Sequence, residues 1–118
     1  MRMWNVPPEV MCQKHLCGEH VEMHMLVGTI LKGISIRGYV AGGLVETARI
    51  AERHELLSRE MTRRGYRHLS PLPAFSTPAA GAVDRAANLV ELARRCPACE
   101  KRQKDGALLD KAGIMASS

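Results

Sequence analysis

Aromatic residues are scarce in this chain: one Trp, two Tyr and one Phe, 3% of 118 residues. So few rings argue against a β-sandwich, whose strands favour them, and against sheets that stack nucleobases on aromatic rows. No apolar run approaches the roughly 18 residues that a membrane span requires, and Met1-Arg2-Met3-Trp4-Asn5 opens no hydrophobic signal region. A cytoplasmic protein with no membrane partner is therefore expected. There are only four cysteines, Cys12, Cys17, Cys96 and Cys99; in that compartment they read as thiols or metal ligands rather than disulfides. His-Val-Glu-Met-His over residues 20–24 is not the His-Glu-x-x-His of zinc proteases. Gly38-Tyr-Val-Ala-Gly-Gly43 lacks the Lys-Ser/Thr that follows a phosphate-binding loop.

What is present is a core for one domain: 46% hydrophobic and 25% charged residues, with 17 Lys and Arg against 12 Asp and Glu. The net charge of +5 suits a polyanionic partner. Pro7-Pro8 pre-set a helix start with Glu9 in its first turn, and Gly33 suits its end, so one long helix is expected from about Glu9 to Leu31. Residues 33–43 hold four glycines and read as loop or short extended segment. Ile50, Leu57 and Met61 recur at helical spacing in a second helix, about Leu44 to Arg64, closed by Gly65. Three prolines and no periodicity make residues 66–81 a long loop. Val83, Ala86, Ala87, Val90 and Ala93 stripe a third helix from about Ala82 to Arg95, which Pro97 ends. The expectation is an all-α fold: a compact single domain of three main helices joined by long loops, its N-terminal arm packed near the first helix. Residues 1–103 form the domain and 104–118 a flexible tail.

The first helix carries the chemistry. At 100° per residue His15, Glu19 and Glu22 fall within about 60° of one another, with His20 and His24 on the opposite side. Two carboxylates and an imidazole on one strip raise each other's proton affinity or bind a cation; a solvated polar face is the plainer reading. Cys96-Pro-Ala-Cys99 has zinc-knuckle or redox spacing, but zinc needs two further ligands. Cys12, Cys17 or a histidine could serve, although Cys12 and Cys17 would point about 140° apart on a helix. No metal is assigned, and His54, on the apolar stripe, reads as a core or boundary residue. Met23 and Met25 read as packing, and Arg63-Arg64-Gly-Tyr-Arg67 either as a phosphate patch or as cations favoured at a helix C-terminus.

Gln13-Lys-His-Leu-Cys-Gly-Glu-His-Val-Glu22, behind a very short N-terminal arm, resembles the phage-type pyrimidine-dimer DNA glycosylase/AP lyases, the phage endonuclease V family. Ile50-Ala-Glu-Arg-His-Glu-Leu-Leu57 through Arg64-Gly-Tyr-Arg67 resembles that family's middle helix, and Ala86–Arg95 with the basic stretch after it resembles the last. The blocks stand in the family's order over roughly residues 1–103. The resemblance implies catalysis without metal or cofactor. The N-terminal amine attacks C1′ of the damaged nucleotide, expels the base and forms a Schiff base, and a glutamate on the first helix assists β-elimination. An α-amine titrates near 7.7–8.0, so a useful fraction is free nucleophile at neutral pH. The resemblance puts the glutamate on Glu22 and the nucleophile on Met1, which bulky Arg2 would keep from being removed. It makes Arg2 a phosphate- and lesion-contacting residue, sets His15 near the site as a further substrate- or DNA-binding residue, and aligns Arg94, Arg95, Lys101 and Arg102 with a DNA-binding stretch.

The partner implied is double-stranded damaged DNA, bound by a monomer, with the target nucleotide extruded from the stack. Val21 and Met25 stand where the family has further arginines, and Cys96-Pro-Ala-Cys99 replaces an aromatic cluster. The lyase chemistry is therefore better supported than the lesion, which could be another modified base. A different class of reading is a non-catalytic basic DNA-binding module stapled by zinc through Cys96 and Cys99.

Overall fold

Two adjacent prolines start a turn before they start a helix. In the computed structural model, which describes residues 1–67 and 70–106, Pro8–Val10 form a single 3-10 turn. Met11 and Cys12 are extended, and α1 begins only at Gln13, running to Leu31. The long helix expected from Glu9 is thus split, because the extended pair interrupts the helical hydrogen-bond ladder. Gly33, with φ +72°, ends α1 as expected. The glycine-rich stretch contains a short helix, α2 (Arg37–Ala41), rather than loop alone. A 3-10 turn, Thr47–Arg49, leads into α3 (Ile50–Arg63), so the second helix starts six residues later than its periodicity suggested. Gly65, at φ +82°, closes it.

The loop through residue 81 has no regular element among its described residues. It is held instead by Thr47, whose hydroxyl donates to Pro78 O at 2.7 Å and whose backbone N–H donates to Ala80 O at 2.9 Å. Gly81 follows with φ +86°, so close to the Val45 carbonyl that a Cβ would collide with it. Asp84 caps α4 (Arg85–Arg95) by accepting the Ala87 N–H at 2.9 Å, a stronger start signal than the apolar stripe that suggested a start at Ala82. α4 stops at Arg95, just before Pro97, as expected, but helical structure resumes at once. Cys96 is extended, and residues 97–106 form α5, in which Pro97 occupies the first turn, where its missing N–H costs nothing. Residues 104–106 thus belong to a helix, and 107–118 lie outside the described residues.

The fold is all-α, with no strand among the described residues. Its centre is the α1–α3 pair: Leu16, Met23, Leu26 and Val27 from α1 bury against Ile50, Leu57 and Met61 from α3. Met3, Val6 and Met11 of the N-terminal segment are fully or almost fully buried in the same core. The arm is therefore a packed strap over α1. Val83, Leu92 and Cys99 carry the core to α4 and α5. Met23 packs as expected, but Met25 lies on the outer side of α1 and is half exposed.

Candidate active site

Backbone N–H groups of Arg2, Met3 and Asn5 tie the arm down. The Arg2 N–H donates to Glu22 Oε2 at 3.1 Å, the Met3 N–H to Leu44 O at 2.7 Å, and the Asn5 N–H to Glu19 Oε2 at 3.5 Å. Asn5 adopts φ +58°, a left-handed turn that asparagine tolerates better than most residues. The Glu22 carboxylate thus reaches the first peptide bond, one residue from the amine of Met1, whose side chain packs on the core. The Arg2 guanidinium lies over the Trp4 ring, 3.8 Å from its centroid, and donates from Nη2 to Asn88 Oδ1 at 2.7 Å. Asn88 returns a bond from Nδ2 to Trp4 O at 2.8 Å. Burial, followed by the nearby Arg95 charge, holds Arg2 below its ordinary pKa. Arg2 Nε is buried without a hydrogen-bond partner among the described residues.

Glu19 behaves differently from Glu22. On the helical wheel it sits between Leu26 and Met23, inside the arc that faces α3. It meets Arg53 there in a fully buried bidentate pair, with Nε–Oε2 at 2.5 Å and Nη2–Oε1 at 2.8 Å. Arg53 also donates from Nη1 to Val6 O at 2.6 Å and from Nη2 to Met11 Sδ at 3.3 Å. Burial pushes the Glu19 carboxyl above its ordinary range, and the Arg53 guanidinium opposes that push. The shared polar strip expected for His15, Glu19 and Glu22 is therefore divided: Glu22 serves the arm's first peptide bond, and Glu19 anchors the arm from beneath.

His15 turns to the cysteines. Its Nδ1 lies 3.2 Å from Cys12 Sγ and 3.6 Å from Cys99 Sγ, and its ring meets Trp4 edge-on at a centroid distance of 6.2 Å. Burial and then Lys14 lower its pKa, against Glu22. Cys96 Sγ completes the group, 3.8 Å from Cys12 Sγ. Burial pushes the Cys99 thiol up to about 12. On the opposite side of α1, His20 and His24 converge with His54 of α3, as their half-turn offset from Glu22 allows. His54 Nε2 lies 3.0 Å from His20 Nε2 and 3.1 Å from His24 Nε2.

The cations named from sequence are unequally committed. Arg94 and Arg95 both pair with Glu91, at 2.6 and 2.5 Å, and these guanidiniums hold the Glu91 carboxyl down to about 2. Arg102 donates to Glu9 O at 3.1 Å, and Lys101 is exposed on α5. Arg64 is structural: it bonds Glu60 at 2.7 Å and the carbonyls of Pro8 and Met11 at 3.2 and 2.7 Å. Arg63 is exposed but pairs with the same Glu60, at 2.7 and 2.5 Å, which leaves Arg67 for any phosphate patch there. An open groove along the arm, lined by Asn5, Pro7, Pro8, Arg53, Arg85 and Leu89, excludes Met1, Arg2 and Glu22.

Trp4, Arg53 and Asn88 were not singled out from sequence. Glu19 within an apolar arc was a signal for a buried cation, but no local pattern marks Asn88 as the partner of Arg2. No curated protein and no solved structure gives a significant match to the chain. A family model described as pyrimidine dimer DNA glycosylase matches residues 1–73, the arm through α3 and the start of the following loop. With well over half its length matched, the chain belongs to the pyrimidine-dimer DNA glycosylase family.

Proposed function

We propose that this protein is a DNA glycosylase with AP-lyase activity that acts on pyrimidine dimers in duplex DNA, as a monomer and in the cytoplasm, through the Met1 amine and Glu22. The observation that carries this reading is the 3.1 Å hydrogen bond from the Arg2 N–H to Glu22 Oε2, which sets a carboxylate beside the chain's first residue. The amine's lone pair attacks C1′ and the glycosidic pair leaves with the base. Opening of the sugar ring gives an imine that acidifies the C2′ hydrogen, and its loss expels the 3′ phosphate; water then hydrolyses the imine. Glu22 is positioned to stabilise the developing positive charge and to move the protons. Arg2, stacked on Trp4 and held by Asn88, offers a cation at the same edge for the phosphate flanking an extruded nucleotide. Glu19 and Arg53 keep the arm in place and take no part in bond making.

Borohydride reduction tests the covalent step. Untagged protein whose mature chain begins at Met1, confirmed by mass spectrometry, is incubated with abasic duplex and reduced. The expected adduct maps to the N-terminal peptide. Glu22→Gln, which preserves size, should keep the fold and lose about 100-fold or more in strand cleavage, the usual scale of general acid–base catalysis. An adduct on Lys14 or Lys101, or near wild-type cleavage by Glu22→Gln, overturns the assignment.

A further inference from the structure

Cys12, His15, Cys96 and Cys99 come from two chain segments more than eighty residues apart. Cys12 caps α1 and His15 sits in its first turn; Cys96 caps α4 and Cys99 sits in the first turn of α5. Each segment therefore presents an i, i+3 pair, and the two pairs close on one another with all four ligand atoms within 4.8 Å. Zinc–sulfur bonds of 2.3 Å and zinc–nitrogen bonds of 2.0–2.1 Å at the tetrahedral angle give S–S edges of about 3.8 Å and S–N edges of about 3.6 Å. The corresponding separations are 3.8 Å for Cys12–Cys96, 3.2 Å for Cys12–His15 and 3.6 Å for Cys99–His15. A disulfide would need sulfurs about 2.05 Å apart. Backbone N–H groups also point at the sulfurs: Cys12 N–H donates to Cys99 Sγ at 3.2 Å and Cys99 N–H to Cys96 Sγ at 3.4 Å. Such donors stabilise thiolates, the form that binds metal.

We propose that these four residues form a structural zinc site that fastens α5 to the start of α1. A complete Cys₃His set leaves no open position for water or substrate, which separates structural from catalytic zinc. The ion also takes His15 from the DNA-contacting residues and makes it a ligand, which supports Trp4 and, through Trp4, the stacked Arg2. Cys17 is not part of the group.

Metal analysis of the full chain tests this without reference to activity. Purified protein should hold zinc, and cobalt exchanged into it should give the near-ultraviolet charge-transfer bands of thiolate ligation. Cys96→Ser with Cys99→Ser should lose one equivalent and the bands, and melt lower by at least about 10 °C. His15→Cys keeps four ligands, so it should retain the ion and strengthen the bands even if the double variant does not fold. Absence of thiolate bands in the wild type, or full zinc retention by the double serine variant, overturns the site. Loss of cleavage by Glu22→Gln leaves zinc content unchanged, so the two readings fail separately.

The histidine cluster carries a second assignment independently. His20 and His24 stand one turn apart on α1, a spacing that presents two imidazoles to one ion. His54 adds a third, and the three ring centroids lie 4.6 to 4.9 Å apart. Ser70 O lies 3.0 Å from His24 Nε2 and 3.2 Å from His54 Nε2. The geometry points to a divalent transition-metal site, bound through imidazole nitrogen, that joins α1 to α3 beneath the Ser70 carbonyl. In the otherwise unaltered chain, cobalt titration should find a second equivalent that adds no thiolate bands, and His24→Ala should abolish that equivalent while the thiolate bands stay. If only the thiolate-bound equivalent is found, or if His24→Ala leaves binding unchanged, the cluster is a hydrogen-bonded one only.

Discussion

Arg2 combines roles that a lysine could not reproduce. Its planar guanidinium stacks on Trp4, donates to Asn88 and remains charged at any physiological pH. Its backbone N–H serves Glu22 independently of the side chain. Arg2→Gln should therefore leave the arm tied to Glu22 while removing the cation. The expected outcome is a larger loss in base excision, about tenfold or more, than in affinity for undamaged duplex, measured by single-turnover excision and by binding isotherms. Equal losses in both would make Arg2 an ordinary phosphate-binding residue. Glutamine is still bulky enough to keep Met1 in place, whereas alanine would allow its removal and shift the chain's first residue.

At the scale of elements, the arm, α1 and α3 meet at one buried ion pair. Glu19 and Arg53 satisfy one another, and Arg53 uses its remaining donors on Val6 and Met11. Breaking such a pair from one side leaves an uncompensated charge in the core. Glu19→Gln or Arg53→Met should each cost about 3–5 kcal/mol of folding stability. Changing both to apolar residues of similar volume should cost less than the sum of the single changes. Urea unfolding of the four proteins in a double-mutant cycle measures this. In the single variants the arm should loosen, so excision falls with Glu22 untouched; that marks Glu19 and Arg53 as positioning residues. Additive losses in the cycle would deny the pair its role as a unit.

At the scale of the whole molecule, the net charge of +5 is spread over residues with different tasks. Arg64 and Arg53 are spent on carbonyls and carboxylates inside the fold, and Arg94 and Arg95 share Glu91. Lys101 and Arg102 on α5 stay at the surface, and the Arg102 bond to Glu9 O is solvent-exposed. Replacing both with glutamine should weaken binding to damaged and undamaged DNA alike. The log–log salt slope should fall by roughly 0.9 for each phosphate that the variant no longer neutralises. Fluorescence anisotropy across a salt series reads both, and an unchanged slope would remove α5 from the DNA-binding surface.

The chain's local chemistry determined three of the helices, α1, α3 and α4, and where they stop. Apolar spacing, Gly33 and Gly65 mark the ends of α1 and α3, and the Gln13–Glu22 motif lies within one helix, where sequence distance is spatial distance. The extended Met11-Cys12 pair and the reuse of Pro97 as a helix start are backbone choices at single residues, for which proline signals both stop and start. Tertiary structure alone decided which polar groups meet. Glu19 looked like a neighbour of Glu22 because a helical wheel shows direction and not what lies there; only the packing of α3 supplies Arg53. Cys96 and Cys99 lacked two ligands for the same reason. Cys12 and His15 become their neighbours only when α4 and α5 fold back on the start of α1, and no local rule encodes a meeting of such distant segments.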